Sequence, residues 1–287
     1  MNSLIKYIDI HGHISDHDYD VDRDEVIKRA TEAGVGMIAI GTDLESSRGA
    51  VALAEKHANV WATVGMHPTD SMSSEKSMAA NTAANFDYAE FKKLAENSKV
   101  VAIGECGLDY FRPSGQAPLS EKESAIQHEI FLKHIDLANE VKKPLMLHMR
   151  SAGNGAEDDR GTKSAYTEAV AILKERAKVP ANFHFFAGTV DDAKVILDIG
   201  GTLSFTGVVT FARNYDEVIK YIPLERIMSE TDCPFVSPKP YRGKRNEPAY
   251  VVEVVKAIAA IRGDGEVAVV DQLRENAVNF FGINIPS

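Results

Sequence analysis

Short apolar runs alternate with helix-patterned segments along nearly the whole chain, and few folds can satisfy that alternation. From Tyr7 onward, runs rich in residues suited to buried strands recur at 35–40, 60–65, 100–105, 144–148, 182–186, 201–206 and 227–232. Between them lie stretches with helical spacing at 22–33, 44–57, 86–97, 120–141, 164–177, 190–198 and 215–221. A helix over Pro248–Ile261 completes eight strand-then-helix units, and a last helix at about 267–281 packs outside. Strands alternating with helices imply parallel pairing and right-handed crossovers, and eight such units fit a closed (β/α)₈ barrel, a TIM barrel of the α/β class. At 287 residues the chain suits one domain of this kind, residues 1–287.

Six side chains of metal-binding type stand at or just past the ends of those runs. They are His11 and His13 on the first, Glu105 on the fourth, His148 on the fifth, His184 on the sixth and Asp232 on the eighth. In a barrel the C-terminal strand ends surround one mouth, so all six converge there. His-x-His on a strand puts both imidazoles on one face, where they can grip one cation. Asp232, on the strand that closes against the first, completes that side; His148 and His184 hold a second cation, and Glu105 between them can bridge the two. Two divalent ions so held suit hydrolysis of phosphate or amide bonds. The histidines lean toward zinc, with manganese or magnesium as alternatives.

Other residues are read more modestly. His67 ends the third run and is favoured as a substrate or phosphate contact over a ligand. Asp109 can orient a ligand, accept a proton or cap a turn. His57, His128 and His134 fall in helical sequence and His17 in a loop, and these are expected to be ordinary structural histidines. Cys106 and Cys233, the two cysteines, are too few for a disulfide framework and are read as small buried fillers. The net charge of −10 argues against broad electrostatic capture of duplex nucleic acid but leaves phosphate substrates open, because cations can supply the positive charge. No run approaches the ~20 apolar residues that span a bilayer and no signal-peptide pattern is seen, so the expectation is a cytoplasmic protein without membrane partners. Polar stretches at 71–85 and 152–163 read as long loops over the mouth.

Asp9-Ile-His-Gly-His13, Gly65-Met-His-Pro68, Gly104-Glu-Cys-Gly-Leu-Asp-Tyr110, Leu147-His-Met-Arg150, His184-Phe-Phe-Ala-Gly188, Ser229-Glu-Thr-Asp-Cys-Pro234 and Arg242-Gly-Lys-Arg-Asn-Glu-Pro248 resemble, in order, the landmarks of TatD-type metal-dependent deoxyribonucleases. The resemblance implies a barrel of the amidohydrolase type and a divalent-metal nuclease that removes nucleotides from DNA 3′ ends, with DNA ends or short oligonucleotides as substrate. It implies His11, His13 and Asp232 on one ion, His148 and His184 on the other, Glu105 bridging, and Asp232 as general base. His67, Asp109 and Arg150 then face the substrate, and Arg245 contacts phosphate or anchors its loop. Family members often carry Thr in place of Cys106 and a hydroxyl residue in place of Ala187. A hydrolase of small amides, lactones or phosphoesters is the alternative the same barrel would serve.

Overall fold

The computed structural model describes residues 5–69, 86–112, 119–152 and 164–285. Eight parallel strands run in sequence order, β1 (Tyr7–Gly12), β2 (Val35–Ala39), β3 (Val60–Val64), β4 (Val100–Asp109), β5 (Leu145–Arg150), β6 (Ala181–His184), β7 (Thr202–Phe205) and β8 (Ile227–Ser229). Helices α1 (Arg23–Glu32), α2 (Leu44–Lys56), α3 (Tyr88–Ala95), α4 (Glu121–Val141), α5 (Ala165–Arg176), α6 (Val190–Asp198), α7 (Asp216–Tyr221) and α8 (Val251–Arg262) follow the strands in turn. The ring closes beyond the last regular strand. There the Asp232 amide donates to the His11 carbonyl at 2.8 Å and the His13 amide to the Cys233 carbonyl at 2.7 Å. This is the (β/α)₈ barrel the alternation predicts.

Helix starts are set locally. Asp43 with Ser46, Ser120 with Glu123, and Thr189 with Asp192 each form a reciprocal capping box at the first turn of α2, α4 and α6. Such caps satisfy amides that would otherwise be orphaned and contribute about 1 kcal/mol each. They fix where each helix begins after the loop that carries site residues.

Three strand ends differ from expectation, each for a backbone reason. β4 runs four residues past Glu105, which therefore sits within a strand rather than at its end. The extension hugs β5 at Gly107, whose φ is +145° and where a Cβ would come within 2.1 Å of the His148 carbonyl oxygen. β6 stops at His184 because Phe185 takes φ +43°, and β8 stops at Ser229, short of Asp232 with φ +53°. Those left-handed residues turn the chain out of the strand just where side chains must enter the mouth.

The core has two layers. One lies between strands and helices and includes Phe91, Phe131, Phe183 and Phe205. The other fills the barrel with Ile8, Ile10, Ile38, Ile40 and Met146. Helix α9 (Glu266–Phe281) lies outside the ring and buries Val269, Leu273, Ala277 and Phe281 at four-residue spacing. Ala277, Phe281 and Ile283 join the inner layer. Asn276 donates to the carbonyls of Leu224 at 2.8 Å and Ile227 at 2.7 Å, at the start of β8. The helix thus plugs the end of the barrel away from the proposed ligands. Among the described residues, no helix is long and apolar enough to cross a membrane.

His134 on α4 is a structural histidine. It is fully buried, its Nδ1 donates to the Ile130 carbonyl at 2.7 Å and its Nε2 accepts from the Met66 amide at 2.9 Å. Burial lowers its pKa from 6.5 to about 4. Between those values the unfolded chain takes up a proton that the folded chain refuses, so this contribution to stability is full above pH 6.5 and lost as the pH falls to about 4. The loss is on the order of 3 kcal/mol. We expect His134→Gln, which cannot charge, to lose less stability than the wild type between pH 7.5 and 4.5. Urea midpoints of both proteins at both pH values measure the difference.

Candidate metal centre

The site is built around one carboxylate. Glu105 is 2% exposed, and its two oxygens face two different histidine groups. Oε2 lies 3.3 Å from His11 Nε2 and 3.7 Å from His13 Nε2. Oε1 lies 2.8 Å from His184 Nε2, 3.0 Å from His148 Nδ1 and 3.4 Å from His67 Nε2. The strand period of two explains the first group, since it puts the His11 and His13 Nε2 atoms 3.3 Å apart on one face. Asp232 Oδ1 joins it, 3.3 Å from His13 and 3.8 Å from His11. Its left-handed backbone is tolerable because Asp visits that region more readily than bulky residues. The His148 and His184 nitrogens of the second group are 3.3 Å apart, and the His11 and His184 rings stack at 3.8 Å between the groups.

These separations are those of a ligand shell. Donors 2.0–2.1 Å from a tetrahedral ion stand about 3.3 Å from one another. The observed spacings of 2.8–3.8 Å bracket that value. The titration pattern agrees. Burial alone would raise the Glu105 pKa, but His184, His67 and His11 hold it well below the ordinary carboxylate range. Burial would lower His184 and His148, yet Glu105 raises the first strongly, and Asp109 and Glu105 raise the second. Burial and the neighbouring His184 push His11 down to about 3. Carboxylates and imidazoles here thus depend on one another for charge, and a divalent ion would compete with protons for the histidine nitrogens.

A further layer of carboxylates orients the second group. His148 turns its other nitrogen to Asp109 Oδ2 at 3.1 Å, while Asp109 Oδ1 accepts from the Phe111 amide at 2.9 Å. Asp109 is therefore seated behind an imidazole, in the position of a ligand-orienting group, with a turn contact on its other oxygen. Glu230, absent from the sequence-based set, is fully buried with Oε1 3.6 Å from His184 Nδ1. Ser204 donates to its Oε2 at 2.7 Å and the Phe185 amide to its Oε1 at 2.5 Å. The signal was present as Glu-x-Asp at 230–232, two residues that share a face under strand alternation.

A cavity of about 810 Å³ opens over the cluster, lined by His13, His67, Glu105, His148, His184 and Asp232 together with Arg150, Tyr215 and Phe235. Arg150 lies against the Phe111 ring at 3.6 Å. His67 points inward to the second group and anchors its other nitrogen on Thr69 at 2.7 Å. Arg245 departs from the substrate-contact expectation. Its guanidinium donates to Asp22 at 2.6 Å and to the Asp18 carbonyl at 2.5 Å, lies over Tyr19, and is not among the cavity-lining residues. It anchors its loop. Both cysteines are fully buried, as fillers should be. The stretches 71–85 and 153–163 lie outside the described residues.

The family described as TatD related DNase matches residues 8–282. The chain belongs to the TatD family of hydrolases. It is 36% identical to a protein named uncharacterized metal-dependent hydrolase YabD from Bacillus subtilis, across 96% of this chain and 99% of that one. It is 32% identical to the 3'-5' ssDNA/RNA exonuclease TatD of Klebsiella pneumoniae, across 96% and 98% of the two chains. The fold matches the solved structure of the Escherichia coli TatD homologue YJJV with a TM-score of 0.81 at 23% identity, over 98% of this chain and 99% of that one. TatD membership agrees with the seven motifs in order, and the barrel agrees with the alternation.

Metal titration separates the orienting carboxylates from the loop anchor. We expect Asp109→Asn and Glu230→Gln each to weaken divalent-ion binding by roughly 10–100-fold. Arg245→Ala should leave affinity and stoichiometry unchanged. Competition with a chelating dye reads all three.

Proposed function

We propose that this protein is a two-cation phosphodiesterase that removes nucleotides from the 3′ ends of nucleic acid, DNA foremost. The observation that carries the reading is the division of Glu105 between two histidine groups, an arrangement in which one carboxylate would serve two adjacent ions. His11, His13 and Asp232 would hold one ion, and His148 and His184 the other. Divalent ions there would supply Lewis-acid polarisation of a phosphoryl oxygen and ready water for attack near neutral pH. The nitrogen-rich donor set suits zinc or manganese, and magnesium enters through the carboxylates.

The chain's own groups have separate tasks. Asp232, at the cavity floor beside His13, takes the proton of the attacking water. The water oxygen bonds to phosphorus as the bond to the departing sugar oxygen breaks, and the proton passes to that oxygen. Arg150 presents a planar set of donors to the non-bridging phosphate oxygens, and His67 holds the phosphate from the other wall. The name of the Klebsiella relative supports a 3'-5' exonuclease acting on single strands. The work is assigned to the cytoplasm, where two buried free thiols are at no redox disadvantage.

The test is degradation of end-labelled single-stranded and duplex DNA by metal-stripped protein re-supplied in turn with Mg²⁺, Mn²⁺ and Zn²⁺. Shortening from the 3′ end that requires a cation and vanishes in Glu105→Ala is the expected result. Intact DNA under every cation, with metals still bound, would redirect the search to small esters, amides and lactones. Asp232→Asn should keep at least one bound cation and lose about 10²–10⁴-fold in turnover. Undiminished turnover in that variant would remove Asp232 from its role.

A further inference from the structure

Four large apolar side chains stand exposed among the described residues: Val21, Tyr221, Phe235 and Val267. Of these, Phe235 alone lines the cavity over the metal centre. Its ring is 54% exposed and meets the His13 ring edge-on at 6.0 Å. The exposure does not come from slack in the loop. The Phe235 amide donates to the Asp232 carbonyl at 2.9 Å, and its own carbonyl accepts from Asn246 Nδ2 at 2.6 Å. Asn246 is fully buried, also donates to the Thr231 carbonyl at 2.9 Å, and sends its amide to the Pro234 carbonyl at 3.1 Å. The turn that carries the ring is therefore tied to the residues flanking Asp232. An apolar ring is thus held half-exposed beside the metal centre, with the edge-on His13 ring as its aromatic neighbour among the described residues.

Holding a phenyl ring half in water forgoes apolar burial that such a side chain gains in a core. A ligand with a planar apolar face would recover part of that. The cavity thus offers two complementary features close together: an ion-binding floor suited to phosphate and a π-face at its rim. We infer that Phe235 is the stacking platform for the base of the terminal nucleotide. This rests on the nucleic-acid reading above. Every base has a π-face, so the platform gives little preference among bases. The apolar Val236 and the ring of Tyr215, which line the same cavity, suit the base and not the phosphate.

The experiment uses the metal-loaded protein, wild type, Phe235→Ala and Phe235→Trp, with a short single-stranded DNA carrying 2-aminopurine at its 3′ end and a counterpart ending in an abasic sugar. Stopped-flow quenching reports stacking, competition against the abasic strand reports its binding, and product release reports hydrolysis. The expected result is quenching in the wild type, a Kd about 10-fold weaker in Phe235→Ala, and recovery in Phe235→Trp. The abasic strand should bind all three proteins alike, so the variant and substrate changes couple. Equal Kd values for wild type and Phe235→Ala, or an equal loss on the abasic strand, would overturn the platform. Hydrolysis with no dependence on Phe235 removes the platform and keeps the nuclease. Phe235-dependent quenching without hydrolysis keeps the platform and removes the nuclease. Absence of binding removes both.

Discussion

Everything at the mouth of this barrel follows from one buried carboxylate that serves two sets of imidazoles. Glu105 lies inside β4 and faces His11 from β1 and His13 just beyond it on one side, and His148 and His184 from β5 and β6 on the other. A buried anion with so few water contacts is costly unless compensated. Here compensation arrives from histidines carried by three other strands, and their positions are set by barrel closure rather than by local sequence. Removing the carboxylate would leave the two sets of imidazoles facing one another without the anion they share, with Asp232, Asp109 and Glu230 only at their outer sides. The metal site and the register of the ring are in this sense one design, and each constrains the other.

The two ends of the barrel divide the labour. The mouth keeps residues that sit poorly in an isolated fold: Asp232 and Phe185 with left-handed backbones, and histidines whose protonation is set by their neighbours. The opposite end carries the apolar plug of α9, in which Ala277 and Phe281 meet Ile8 and Ile38. Stability supplied there lets the mouth tolerate strain and close charges, and it separates residues that hold the fold from residues that do chemistry.

Much of this was legible in the sequence because strand period and strand order are local properties. The six ligand-type residues needed only the position of each apolar run and the rule that parallel strands of a barrel end together. His67 was legible as a site residue, yet its distance to Glu105 depends on how β3 and β4 approach at Gly65, which no single run reveals. Asp109 was seen with its roles open, and only the pairing of Gly107 with His148 places it behind that imidazole. Glu230 is harder to find, because a buried glutamate has no periodic signature beyond its neighbour two residues on. Arg245 reads in sequence either as a phosphate contact or as a loop anchor, and the contact that favours the anchor is long-range, with Asp22 223 residues away in sequence.

The charge of the chain can be reconciled with an anionic substrate on the same terms. A net charge of −10 repels a polyanion at long range, and the cavity floor itself carries Glu105 and Asp232. Screening at physiological salt limits that repulsion to about 8 Å, so contact chemistry decides the outcome. Cations in the cluster would invert the local sign, which orders the events: ions first, phosphate second. On the proposed reading the site would take one end of a strand rather than its length, with Arg150 and His67 serving a single phosphate. A protein whose bound cations supply the local positive charge would then be matched to termini, a selectivity that a basic surface would lose.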